Sequence, residues 1–118
     1  MSENKLLDCS FEFAKTIVNI ADNIKTPKSS YMINQLARAG TSVGANIYEA
    51  QYAHGKPDFI AKLEIALKEA NETRYWLKLL TETGRISKAD FQNAENQCAN
   101  LRRMLIASCT TAKANLKK

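Results

Sequence analysis

The sequence predicts an all-α fold, an antiparallel up-down-up-down four-helix bundle, and three observations predict it. Apolar residues recur at the helical period along almost the whole chain, without strand-like alternation. Four Gly and two Pro among 118 residues leave room for few turns, so the elements are long. The breaks between helical segments run to about five residues or fewer, which turns each helix back on the one before it. The whole chain, residues 1–118, reads as a single domain.

Helix one is expected over residues 6–24. Leu7, Phe11, Ala14, Val18 and Ala21 form one stripe, widened by Phe13, Ile17, Ile20 and Ile24. Thr26 then suits a cap with Pro27 in the first turn of helix two, Ser29 or Ser30 being alternative caps. Helix two, residues 28–52, organises the rest. Ile33, Leu36, Ala37, Gly40, Val43, Gly44 and Ile47 fall within roughly 60° of Gly40 around the helix. Glycine inside a helix is unfavourable by about 1 kcal/mol relative to alanine, so two on one apolar stripe imply a compensating close approach of a neighbouring backbone; a kink is the alternative. On the opposite face, Arg38, Ser42, Ala45 and Glu49 carry little charge for a solvated surface, so this helix is expected to face its own core on one side and a partner subunit on the other.

Helix three opens at Pro57, with Asp58 at its positive end, and stops at Thr83-Gly84 in a left-handed glycine cap. Its core stripe is Phe59, Leu63, Ala66, Ala70, Leu77 and Leu80. A second stripe holds Ile65, Glu72, Trp76 and Leu79. Asp58 with Lys62, and Glu64 with Lys68, are spaced for i,i+4 pairing. Ser87-Lys88-Ala89-Asp90 matches a capping box with Asp for the usual Glu and starts helix four. There Phe91, Ala94, Cys98, Leu101, Leu105, Ser108 and Ala112 repeat as a heptad seam, and Lys117 and Lys118 suit its negative end.

No apolar run is long enough to span a membrane, and MSENKLLDCS has no secretory pattern, so a cytoplasmic protein without a membrane partner is expected. The three cysteines include no CxxC; Cys98 and Cys109 share a helix face but lie roughly 16 Å apart along it, as buried small hydrophobes would. Net charge is +5, and the entire excess sits in residues 84–118, where seven cations face two carboxylates. Lys88, Arg102, Arg103, Lys113 and Lys117 share one wedge of helix four, together with Glu95 and Ile106. That wedge reads as a phosphate-binding track, driven by counterion release, or as a solvated face with terminal lysines.

Catalytic chemistry finds no support. The one histidine, His54, stands beside a glycine in a linker, which rules out the Glu-x-x-His pairs of a di-iron bundle and leaves no positioned base for acyl transfer. Phosphate-binding glycine loops are missing. No metal, cofactor or catalytic residue is assigned. Arg38, Glu49 and Glu72 are read as structural, with Arg38 pairing a helix-three acid such as Glu72 within or between subunits. Trp76, with Ile65 and Leu79, is the expected interface anchor, a wide internal core being the alternative.

The segments QLARAGTSVGANIYEA and DFIAKLEIALKEANETRYWLKLL, with LLDCSFEFA before them, resemble the small bacterial four-helix-bundle proteins named after intervening sequences in large-subunit ribosomal RNA genes. The resemblance covers nearly the whole chain; the family's usual Gly after the helix-two Glu is Ala50 here. The family's patterned positions fall on Arg38, Ser42, Asn46 and Glu49, and on Glu72, Tyr75 and Trp76. It implies a homopentamer and no agreed activity. A related subgroup, the accessory protein of diversity-generating retroelements, is a basic pentameric barrel that binds nucleic acid and a reverse transcriptase. Two functions are therefore expected as alternatives: a non-enzymatic accessory protein that binds DNA or RNA as a basic ring, or a scaffold that docks another protein such as a reverse transcriptase.

Overall fold

Four helices lie along a rod 51 Å long and 24 by 22 Å across. The structure is a computed structural model and describes residues 4–25 and 27–116. In chain order the helices are α1 (Lys5–Asn23), α2 (Ser30–Ala50), α3 (Lys56–Glu82) and α4 (Lys88–Leu116), with a single 3-10 turn, Pro27–Ser29, ahead of α2. Among the described residues there is no strand. Cross-helix partners count upward on one helix as they count downward on the next. Arg38 and Glu49 of α2 meet Glu69 and Lys62 of α3. Arg74 and Glu64 of α3 meet Glu95 and Lys113 of α4. Each of these neighbours is thus antiparallel to the next, and α1 closes the square by packing against both α2 and α4.

The glycines of α2 do what their position implies. A Cβ on Gly40 would sit 2.6 Å from Ile17 Cγ2 and 2.9 Å from Ile17 Cβ and Cγ1. On Gly44 it would lie 3.3 Å from Ser10 Oγ and 3.6 Å from the Ser10 carbonyl oxygen. Two helices approach this closely only where one lacks a side chain. Gly40 is therefore filled by Ile17, itself fully buried, and Gly44 by the turn of α1 around Ser10.

That seat fixes the rotation of α1 and corrects one expectation. The buried residues of α1 are Ser10, Phe13, Ile17, Ile20 and Ala21, so the residues read as widening the stripe supply the core. Phe11 and Val18 face outward instead. Elsewhere the stripes hold with small changes. Leu36, Val43 and Ile47 of α2, Leu63, Ala66, Ala70, Leu77 and Leu80 of α3, and Ala94, Cys98, Leu101 and Leu105 of α4 are all fully buried. Thr73 joins them by returning its hydroxyl to the Glu69 carbonyl at 2.7 Å. Cys98 donates to the Ala70 carbonyl at 3.4 Å, and burial pushes its thiol up to about 11.

The punctuation is also visible. Gly84 closes α3 at φ +83, and the Asp90 amide donates to Ser87 Oγ at 3.0 Å ahead of α4. The start of α2 differs. Thr26 lies outside the described residues. Ser29 precedes α2 without a side-chain cap; its hydroxyl accepts a bond from Arg85 Nε in the α3–α4 link. The expected pairs along α3 are replaced by bonds between helices, Lys62 reaching Glu49 and Glu64 reaching Lys113.

Gly40→Ala is expected to lower stability by about 1–3 kcal/mol, the range for overpacking a filled site, despite its gain in helix propensity. Gly44→Ala, whose nearest contacts would be the Ser10 hydroxyl at 3.3 Å and the Ser10 carbonyl oxygen at 3.6 Å, should be clearly less damaging than Gly40→Ala. Urea denaturation of the two variants checks the order.

Candidate interaction surfaces

On the α2–α3 face, Glu69 and Glu72 stand three residues apart, one above the other on the same side of α3. Arg38 enters between them from α2. Its Nη1 donates to both oxygens of Glu69 at 3.2 Å, its Nη2 to Glu72 Oε2, and its Nε to Gln35 Oε1 at 3.2 Å. The expected pair thus lies within one subunit and includes Glu69 as well as Glu72. Glu72 also accepts from Trp76 Nε1 at 3.2 Å. Arg38 first, and the indole N–H second, hold the Glu72 carboxyl below the usual carboxylate range. The Arg38 and Glu72 side chains are 44% and 33% exposed, so solvent screening leaves this pair modest in stability, and its effect is chiefly to fix geometry.

Trp76 packs against the core from its edge while remaining partly open. Two exposed tyrosines meet it edge-on: Tyr31 with ring centres 6.2 Å apart, and Tyr75 at 5.0 Å, both at 83°. The remaining residues assigned to an interface are spread along this face. Ser42 returns its hydroxyl to the Arg38 carbonyl at 2.6 Å. Glu49 binds Lys62 at 3.2 Å. Ile65 is exposed and Leu79 half-buried. Arg38, Glu72 and Trp76 are therefore brought together, whereas Glu49 and Ile65 lie about eleven residues further along their helices, roughly 16 Å.

The cations of α4 do not form the free track their spacing suggests. Arg102 Nε donates to Asn71 Oδ1 of α3 at 2.7 Å. Lys113 pairs with Glu64 at 2.8 Å. Glu95, inside the same wedge, holds Arg74 through three bonds of 2.7–3.1 Å. The physical reason is that one edge of the wedge faces α3, whose acceptors take the cations nearest to it. Lys88 and Arg103 stay exposed, and Arg103 donates to Asn100 of its own helix at 3.3 Å. Lys117 lies outside the described residues.

A further surface lies between α1 and α2, where an open groove of about 740 Å³ runs beside the glycine contact. Ala14, Gly44 and Ala45 make a shallow floor, and Phe11 and Tyr48 stand as its walls. Phe11 is 64% and Tyr48 55% exposed, and the Tyr52 ring lies tilted beside Tyr48, with centres 5.4 Å apart. The signal was present in the sequence: Phe11 and Phe13 are two residues apart, and a helix cannot turn both to one core. Among the described residues, no cluster of three His, Cys, Asp or Glu side chains is placed to hold a metal ion, and no helix is long and apolar enough to cross a membrane.

Residues 2–107 match the model of a family described as 23S rRNA-intervening sequence protein. The chain is also similar to a crystal structure, at 1.70 Å, of a protein of unknown function from the S23 ribosomal protein family of Bacteroides thetaiotaomicron VPI-5482. The two are 44% identical with a TM-score of 0.83, over 88% of this chain and 97% of that one. No curated protein matches.

The Glu72 arrangement has a pH consequence. A carboxyl held below its unfolded value, near 4.5, contributes stability that is present above that value and lost as pH falls through the lower folded one. Acidification through this window should change the emission of Trp76, the single tryptophan, as its acceptor gains a proton. Glu72→Gln should abolish that step; an unchanged acid transition in the variant would assign it elsewhere.

Proposed function

This chain belongs to the 23S rRNA-intervening sequence protein family, and we propose that it is a non-enzymatic accessory protein whose copies form a homopentameric ring that docks another protein. The observation that carries this reading is the aromatic surface left outside the core. Tyr31 and Tyr75 beside Trp76, and Phe11 with Tyr48 and Tyr52, are each more than half exposed apart from the indole. Grouped apolar surface of this kind marks association rather than solvation. The two groups stand toward opposite ends of α2: Tyr31 and Tyr48 are separated by about 26 Å of helix. A head-to-tail ring needs two different patches on each copy; in this reading the group around Trp76 supplies one of them, and the group around Phe11 is left to the docked protein.

In this reading the ring interface is the α2–α3 face around Arg38, Ser42, Ile65, Glu72, Trp76 and Leu79, with Glu49 at its edge, beside the α1–α2 groove. The number five rests on the family resemblance, as does a reverse transcriptase as a protein partner to try. Light scattering coupled to size exclusion should give a mass about five times the 13.2 kDa of one chain, and Tyr31→Ala with Trp76→Ala should lower it. A 13.2 kDa species at high concentration would remove the ring.

A second reading is favoured by one observation, the concentration of the entire +5 excess in residues 84–118, with Lys88 and Arg103 open to solvent. It makes the protein a DNA- or RNA-binding ring that uses Lys88, Arg102, Arg103, Lys113 and Lys117. Arg102 and Lys113 would have to exchange Asn71 and Glu64 for phosphate. Affinity for a duplex should then fall steeply with salt, and Lys88→Ala with Arg103→Ala should reduce the log–log slope by about 1–2. An unchanged slope would remove this reading.

A further inference from the structure

We infer that the α1–α2 groove is the seat of a cationic amphipathic helix supplied by a different protein. The inference rests on the docking half of the proposed function and names the chemistry of its partner.

Shape comes first. The groove is lined from Leu7 to Ala14 on α1 and from Thr41 to Glu49 on α2, about two helical turns on each. Its floor is built of small residues, so a third helix can lie low between the two, and Phe11 and Tyr48 flank it as an apolar face requires. This is the geometry of helix-in-groove recognition, with anchors at i, i+3, i+4 and i+7.

Charge then selects the occupant. The rim carries three carboxylates, Asp8, Glu12 and Glu49, and the lining includes no cation, in a protein whose net charge is +5. The local sign runs against the sign of the whole. Nearby ammonium groups already behave as an incoming cation would. Lys15 binds Glu12 at 2.7 Å and lies 5.6 Å from the centre of the Phe11 ring, and Lys62 binds Glu49 at 3.2 Å. Lysine or arginine along the flanks of a docked helix would find carboxylates and an aromatic face. Lys15 and Lys62 offset two of the three carboxylates, so the rim keeps a small negative excess, which favours a cationic occupant over a phosphate backbone.

A second copy of this chain docked groove to groove, or through α4, fits poorly. Two grooves placed face to face would set like carboxylates against each other. Helix α4 has the surplus cations, but its exposed large apolar residues, Ile106 and Leu116, are ten residues apart, roughly 15 Å, too sparse to fill two turns.

The test uses the full chain and three fluorescein-labelled 18-residue peptides. One is a helix of Leu, Ala and Lys with leucines at i, i+3, i+4 and i+7; the second has Glu for every Lys; the third has the first composition scrambled. Fluorescence anisotropy should show the first binding at least tenfold more tightly than the others. Ala45→Arg, at an exposed floor position, and Phe11→Ala should each weaken it tenfold or more with helical content and melting unchanged by circular dichroism. Glu12→Gln with Glu49→Gln should shrink the gap between the Lys and Glu peptides. Equal binding of the scrambled peptide, or binding indifferent to Ala45→Arg, overturns the inference. So does a drop in assembly mass caused by Ala45→Arg, which would give the groove to a second copy and leave the ring standing. A monomer that still binds the first peptide through the groove would sink the ring and support the groove.

Discussion

The contact between Gly40 and Ile17 is the constraint on which the rest of the structure depends. Ile17 occupies the space where residue 40 would carry a side chain, and this sets both the distance and the rotation of α1 on α2. With Ile17 turned into that seat, Phe13 and Ile20 follow it inward by the helical period. Phe11 is then carried to the surface. The same close approach brings Gly44 against the turn of Ser10 and leaves Ala14 and Ala45 as a low floor between the helices. The core of α1, its exposed aromatic and the groove beside it therefore have a single origin.

The other sides of the bundle are bridged by polar pairs as well as apolar packing. Arg38 between Glu69 and Glu72, Lys62 with Glu49, Arg74 with Glu95, and Lys113 with Glu64 are distributed along the α2–α3 and α3–α4 seams. Each is partly exposed, and pairs of that kind add little stability. Their consistent direction opposes sliding of one helix past another, because a shift of one turn would separate several at once. They also consume charge. Lys113 and Arg102 are engaged with α3, so the positive excess of the last third is presented by fewer free groups than its count suggests.

Much of this fold is legible in the sequence, because long helices with few breakers advertise their period. The glycine stripe, the Gly84 stop and the Ser87 cap are local signals, and local signals survive folding. The rotation of α1 was not legible. Phe11 and Phe13 both lie near an apolar stripe, and only the position of Gly40 opposite Ile17 decides between them. The choice of ion-pair partner was hidden for a related reason: Lys62 and Glu64 each have an acceptable neighbour on their own helix, yet cross-helix partners took them. The Arg38–Glu72 pair could be anticipated because an arginine on an otherwise uncharged face needs an acid. Glu69 could not, since its spacing resembles an ordinary solvated position.

The most direct measurement is a double-mutant cycle between residues 40 and 17, made from Gly40→Ala, Ile17→Ala and their combination, with each stability taken from urea denaturation. If Ile17 fills the missing side chain of Gly40, shortening it opens room for the new methyl group. The loss caused by Gly40→Ala should then fall by half or more in the Ile17→Ala background, a coupling of about 1 kcal/mol or greater. Strictly additive losses would contradict that seat, and with it the rotation of α1 from which the core and the groove both follow.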